Sequence, residues 1–326
     1  METTLTTARE PASQRLRRLL SKVPVILIVL AVVLILIALV APTFYRPVAL
    51  LNFLKRAAPI IVVAVGQMYV MLSGEFDLSV GSLITVCAAV AANVINNNPD
   101  NVTVAFIWMF GIAIVVGLIN GLIVTRLNVP SFVTTLGMLL VLQGAISIYT
   151  RGAPQGGITD NFRIFGRGNI EGTDIPYAFV IMLIVIAIGV YLMHFTTFGR
   201  RIYAVGGNPV AARLSGVNVG LVKTMAFVLS ALMAAIAATL IAGFSGVSSL
   251  SVGQGYEFQS ISAIVLGGVA LGGGRGNIAG AVMGALTLQA MFSLLNFLGF
   301  PLPIRLSVQG LILVGAVSIA AWRSKS

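Results

Sequence analysis

Long apolar blocks alternate along this chain with short polar joints that carry Gly, Pro or charge. A helix that crosses a bilayer needs about 20 predominantly apolar residues. That length predicts spans near 24–42, 57–73, 80–97, 103–125, 130–150, 176–196, 222–243, 258–272, 276–298 and 303–322. The blocks near 57–73, 80–97 and 258–272 are short or interrupted by Gly and polar residues, which makes them the candidates for half-length or re-entrant segments. RPVALLNFLKRAAP, between the first two blocks, holds Arg46, Lys55 and Arg56 and reads as a surface helix with snorkelling cations. The expected fold is all-α and polytopic, with about ten transmembrane segments. One membrane domain (24–322) lies between an N-terminal arm (1–23) and a short tail (323–326). SGEFDLSVGSLITV at 73–86 can be laid beside GYEFQSISAIVLGG at 255–268. These stretches open the third and eighth segments, and an odd offset of five reverses orientation. The pattern therefore predicts an inverted repeat of two five-segment halves.

The polar passage 197–223, TFGRRIYAVGGNPVAARLSGVNVGLVK, spells a small helix. Asn208 suits the N-cap, where its side-chain oxygen accepts from an orphan backbone N–H. Pro209 falls at the first helical position, where no N–H is needed. Ala211 and Arg213 lie in two turns that Gly216 stops in the left-handed conformation, and Gly206 and Gly207 supply a flexible approach. Such a helix is too short and too charged to span, so it reads as a surface grip for another protein. The N-terminal arm is basic too. Ten spans with both termini inside put thirteen Lys and Arg on the cytoplasmic side and seven outside, a bias of the expected sign. The polar, Gly-rich segment 151–175 then faces outward and suits a soluble partner. Asp100, Asp160, Glu171, Asp174 and Glu257 fall in the outer loops.

Composition narrows the classes. The chain is 58% hydrophobic and 9% charged, against about 25% charged in soluble domains. A net charge of +11 could suggest nucleic acid, but the basic residues sit at block ends rather than in one patch, so no nucleic-acid partner is expected. Cys87 is the one cysteine, which excludes an intrachain disulfide, and it reads as a small core residue. His194 alone cannot build a zinc site of the usual kind and reads as an interfacial residue. No Gly-x-x-x-x-Gly-Lys-Ser/Thr occurs, which excludes a phosphate-binding loop. No nucleophile–base or metal-ligand cluster stands out, so neither chemistry nor a cofactor is expected in this chain.

Polar residues inside apolar blocks are the site candidates, because they are costly in a membrane. Glu75 and Asp77 have three readings. They read as holding the broken end of a helix or gate together with Ser79 and Ser82, as lying in a solvated loop, or as contacting a ligand's hydroxyls. Gln67, Asn93, Asn120, Gln143 and Gln289 either bond neighbouring helices or line a path for a neutral polyol, since an amide both donates and accepts. Gly117 and Gly121, and the series Gly268, Gly272, Gly276, Gly280 and Gly284, have the four-residue spacing that lets helices pack closely. GGGRG at 272–276 reads equally as a tight turn that breaks that series.

GEFDLSVGS at 74–82, AVGGNPVAARLSGVNV at 204–219 and SISAIVLGGVALGGGRGNIAGAVMGAL at 260–286 together resemble the permease subunits of bacterial ribose-type sugar ABC importers. The likeness covers essentially the whole chain. Family members more often have Gly-Ile where this chain has Glu75-Phe76. The resemblance implies a multi-pass protein of the bacterial inner membrane that passes a monosaccharide to the cytoplasm. It implies a second permease copy, identical or a paralogue, a double-cassette ATP-binding subunit that carries ATP and Mg, and a periplasmic sugar-binding protein. On that reading Gly206, Gly207, Asn208, Pro209, Ala211, Arg213 and Gly216 couple to the ATPase. Gln67, Glu75, Asp77, Ser79, Ser82, Asn120 and Gln143 line or gate the path, and Gly117, Gly121, Gly276, Gly280 and Gly284 pack helices. The rival readings are an ion-coupled secondary transporter, an ABC permease for a nucleoside or branched-chain amino acid, and a membrane acyltransferase.

Overall fold

The computed structural model describes residues 25–246 and 249–323; the predicted arm (1–23) and the end of the tail (324–326) lie outside the described residues. The described chain is a bundle of helices. They are α1 (Val25–Val40), α2 (Pro47–Leu72), α3 (Val80–Ile95), α4 (Val102–Arg126), α5 (Ser131–Tyr149), α6 (Asp160–Arg167), α7 (Tyr177–Phe195), α8 (Thr197–Gly207), α9 (Pro209–Leu214), α10 (Val219–Ser245), α11 (Tyr256–Leu266), α12 (Ile278–Phe297) and α13 (Leu302–Arg323). Among the described residues six helices are long and apolar enough to cross a membrane, namely α2, α4 with its leading turn, α5, α7, α10 and α12. Shorter apolar helices cover Ile26–Val40, Val80–Ile95 and Leu302–Ile312. The protein is therefore an all-α polytopic membrane protein.

α10 is the axis of the bundle and packs on α2, α3 and α4. Its buried positions are rich in alanine, including Ala231, Ala234, Ala235, Ala238 and Ala242. Small side chains let helices approach closely where lipid gives no hydrophobic drive to association. Gly117 and Gly121 of α4 take the same approach from the other side. A Cβ on either would sit 2.7 Å from a backbone Cα of α10, at Val228 and Thr224 respectively.

Several expectations change. RPVALLNFLKRAAP is not a separate surface helix, because Pro47–Leu72 is one helix that runs through Pro59 and is buried from Ala57 onward. Lys55 Nζ donates to the Arg167 carbonyl at 2.8 Å and closes the C-terminus of α6. The block near 57–73 is accordingly not short, since it continues a helix of 26 residues. The segment 151–175 is not wholly loop either. It contains α6, whose Phe162 is buried and stacked on Phe106 at 5.2 Å, and whose Gly166 abuts α10 at Leu240 and Gly243. By contrast α11 is half-length, with 11 residues. Gly268, Gly273, Gly274 and Gly276 all have positive φ in the turns that follow, so the glycine series does not form one helix. Only Gly280 and Gly284 are helical, and a Cβ on either would collide with α11-side carbonyls, those of Gly267 and Ala263.

The bundle has two distinct ends. At one, Leu72, the α8–α9 segment and the 267–277 turn meet. At the other, Lys55 meets Arg167, Asn97 N–H donates to Gly157 at 3.1 Å, and Gly166 meets Gly243.

Candidate functional site

Residues 73–79 leave helical geometry between α2 and α3. Non-helical backbone is tolerated at membrane depth only if protein groups satisfy it. Here α5 does so. Ser131 Oγ accepts from Phe76 N and Thr135 Oγ1 accepts from Leu78 N, each at 3.1 Å. The two hydroxyls are four residues apart and so share a helix face. Asp77, 2% exposed, sits inside this turn. Its Oδ1 accepts from Ser79 N–H at 3.0 Å and from Ser79 Oγ at 2.6 Å, and its Oδ2 accepts from Ser230 Oγ of α10 at 3.0 Å. Asn120 of α4 donates to Ser79 Oγ at 3.0 Å. The carboxylate thus joins α3, α4 and α10. Buried and occupied on both oxygens, Asp77 is not in a solvated loop. Glu75, two residues earlier, is ion-paired with Lys223 in the first turns of α10 at 2.5 Å. Gln67 is wholly buried in α2, and both polar atoms of its amide lack a protein hydrogen-bond partner.

The first turn of α3 meets the approach to α11. The Gly81 carbonyl and Gly253 are so close that a Cβ on Gly253 would collide, and Gly253 N donates to Thr85 Oγ1 at 3.1 Å. Beside this crossing lies a cavity of about 220 Å³. Its polar lining is Ser82 and Thr85 from α3, Gln143 and Ser147 from α5, and Gln254 and Glu257 from the α10–α11 connection and α11. Glu257 is 6% exposed, which corrects its assignment to an outer loop. Its two oxygens accept from Gly255 N–H at 3.1 and 3.2 Å. The structure therefore brings Ser82 and Gln143 together, and groups Asp77, Ser79 and Asn120 elsewhere. Gln254, Thr85 and Ser147 were not singled out in the sequence, and Glu257 was named only as an outer-loop carboxylate. The Glu-Phe pair shared by 75–76 and 257–258 was the available signal for Glu257.

The 197–223 passage folds largely as its letters predict. Asn208 Oδ1 accepts from Val210 N and Ala211 N, both at 3.0 Å, Pro209 opens α9, and Gly216 has φ +80°. Ala211 and Arg213 are exposed, and so are two apolar residues of α9, Val210 at 67% and Leu214 at 85%. The flexible approach is not found. Gly206 and Gly207 form the last turn of α8, and a Cβ on Gly206 would collide with the Leu72 carbonyl. That carbonyl accepts from Gly274 N at 2.9 Å. Tyr203 Oη donates to the Gly276 carbonyl at 2.7 Å, and burial raises the phenol above its ordinary pKa, so it remains a donor. His194 Nδ1 lies 3.1 Å from the Val190 carbonyl.

Residues 49–317 match the family model described as branched-chain amino acid transport system / permease component. The chain is 36% identical over 295 residues to the ribose import permease protein RbsC of Escherichia coli (strain K12), covering 90% of this chain and 92% of that one. It is 37% identical over 297 residues to RbsC of Bacillus subtilis (strain 168), covering 90% and 91%. It is 33% identical over 311 residues to the galactose/methyl galactoside import permease protein MglC of Escherichia coli (strain K12), covering 90% and 92%. No solved structure matches the chain.

Proposed function

The chain belongs to the family of branched-chain amino acid transport system / permease components, and from that premise we propose that it is the membrane-spanning permease of an ATP-driven importer of a monosaccharide. Its full-length similarity to ribose and galactose import permeases supports a sugar over the amino acid of the family's description. In this reading ten segments thread the inner membrane as two inverted five-segment halves, with both termini and the α8–α9 segment in the cytoplasm. The 151–175 side meets a periplasmic sugar-binding protein. A second permease copy completes the path, and ATP with Mg is bound by a separate double-cassette subunit.

One observation carries the mechanical part of the reading. The base of α8–α9 abuts both non-helical breaks of the bundle, since Gly206 packs on the Leu72 carbonyl and Gly273 packs on Gly74 and Gly206. Motion of α9, whose exposed Val210 and Leu214 suit a protein partner, reaches the 73–79 turn and the 267–277 turn through close backbone contact. Both turns lead into short helices, α3 directly and α11 from its far end. A rigid lever is needed to convey work from ATP, and α9, a capped helix joined directly to the last turn of α8, whose Gly206 and Gly207 meet both turns through backbone, serves as one.

A mild-detergent pull-down from native membranes, read by mass spectrometry, tests the assignment. Recovery of a double-cassette ATPase and a periplasmic sugar-binding protein is expected. A robust pull-down that brings no ATPase refutes the importer and leaves ion-coupled transport as the leading reading.

A further inference from the structure

We infer that the cavity between α3, α5 and the α10–α11 connection is a binding site for one neutral monosaccharide, with Glu257 as the principal acceptor of its hydroxyl protons. This deepens the importer reading and rests on it, because it places a substrate-selective station within the permease itself.

The lining is built for a polyol. Ser82, Thr85 and Ser147 bring hydroxyls, Gln143 and Gln254 bring amides, and Glu257 brings a carboxylate, all around about 220 Å³, with room for a single sugar ring. Hydroxyls and amides donate and accept, while an ionised carboxylate only accepts. A sugar hydroxyl does both, so Ser82, Gln143, Gln254 and Glu257 each have a complement on the ligand, while Thr85 already donates to the Gly81 carbonyl and accepts from Gly253 N, and Ser147 donates to the Gln143 carbonyl.

Glu257 is the unexplained member. It is buried, and among the described residues the hydrogen bonds to its carboxylate come from backbone N–H alone, that of Gly255 and its own. Among the described residues the ion pairs are Lys223–Glu75 and Arg163–Asp160, and neither includes Glu257. An acceptor with lone pairs to spare and no cation is expensive inside a membrane protein. Two adjacent hydroxyls of a sugar would supply the missing donors. Gly81 leaves the space for this carboxylate, because a Cβ there would collide with Glu257 Oε2.

Gln143 and Ser147 are also out of place as lipid-facing residues. They are exposed one turn apart on α5, on a helix that otherwise exposes Leu140, Val141 and Ile148. Polar side chains in a spanning helix face protein or an aqueous path, and these two face the cavity.

The same wall excludes other ligand classes. Among the described residues no Lys, Arg or His lines it, so a phosphate or an α-carboxylate would meet Glu257 with no counter-charge from that wall. Sugar phosphates and zwitterionic amino acids are therefore disfavoured. The apolar lining amounts to Ile146 and Leu250, too little to enclose a branched aliphatic side chain.

The test uses the complete importer, with its ATPase and binding protein, reconstituted in proteoliposomes and assayed for ATP-driven uptake of labelled D-ribose and D-galactose. Glu257→Gln and Gln143→Leu should each lower uptake roughly tenfold or more, as expected for losing hydrogen bonds at or beside a charged acceptor, while both variants still insert in the membrane and co-purify with the ATPase. In addition, Gln143→Cys should react with a small methanethiosulfonate reagent, and the transported sugar, but not valine, should slow that reaction. Gln143 is exposed and the native Cys87 is buried, so the label reports on the cavity and the variant does not depend on repacking a core. Full uptake in both variants, or no protection by a sugar that the wild type transports, overturns the cavity site and leaves the importer standing. Protection by valine instead overturns the polyol assignment. A wild-type complex that imports neither sugar overturns the monosaccharide reading and this inference with it.

Discussion

Asp77 and Glu75 are two residues apart and have opposite surroundings, which decides what each can do. Asp77 accepts three hydrogen bonds from side chains and backbone of α3 and α10, and its removal would strand buried donors. Leaving a buried polar group unsatisfied costs about 1–3 kcal/mol. Asp77→Ala is therefore expected to lower stability by about 3 kcal/mol, read as a fall in the melting temperature of the detergent-solubilised protein. Ser79→Ala, which removes one hydroxyl from the same knot, should cost about 1 kcal/mol. Equal melting temperatures for Asp77→Ala and wild type would rule out the carboxylate as the tie between α3 and α10. The candidates Asp77, Ser79 and Asn120 were each visible in the sequence as polar letters in apolar blocks. Their convergence was not, because Asn120 lies 41 residues from Ser79 and Ser230 lies 153 from Asp77.

Elements were legible where their signals were local. α9 is the clearest case: the cap, the proline and the stopping glycine lie within nine residues of one another, and the helix forms where they place it. An N-cap is worth about 1 kcal/mol, so Asn208→Ala together with Pro209→Gly should loosen α9. Sugar-stimulated ATPase activity of the assembled importer should fall while membrane insertion, followed by membrane fractionation, remains intact. Normal stimulated activity in that double variant would argue against α9 as the coupling element. Elements were misread where the signal was tertiary. The charges of Arg46, Lys55 and Arg56 read as those of a separate surface helix, yet the segment is the start of α2, and Lys55 meets the carbonyl end of α6. The eight residues of α6 are too few for a periodic pattern, and their helix is held by Phe162 on Phe106.

Across the whole molecule, the ion pair Lys223–Glu75 spans 148 residues of sequence and ties the 73–79 turn to the start of α10. Exposed pairs contribute well under 1 kcal/mol, while breaking a buried pair costs several. This pair is part-buried, and the double variant Glu75→Gln with Lys223→Met should be less destabilised than the sum of its single variants by on the order of 1 kcal/mol. Additive effects in a denaturation series would show the two side chains to be independent. The sequence by itself determined the membrane class, the all-α content, the α9 cap and the resemblance to sugar permeases. Each of these is set by composition or by neighbours along the chain, since apolar run length and backbone capping act over a few residues. Only the tertiary structure decided that Glu257 is a buried wall of a polar cavity rather than part of an outer loop. It also decided that Gly206 is a tight contact rather than a flexible joint, and that Glu75 pairs with Lys223 while no ion pair among the described residues includes Glu257. Those outcomes depend on which distant backbone or charge arrives within about 4 Å, the range over which contact and ion pairing are decided, and no local pattern encodes that arrival.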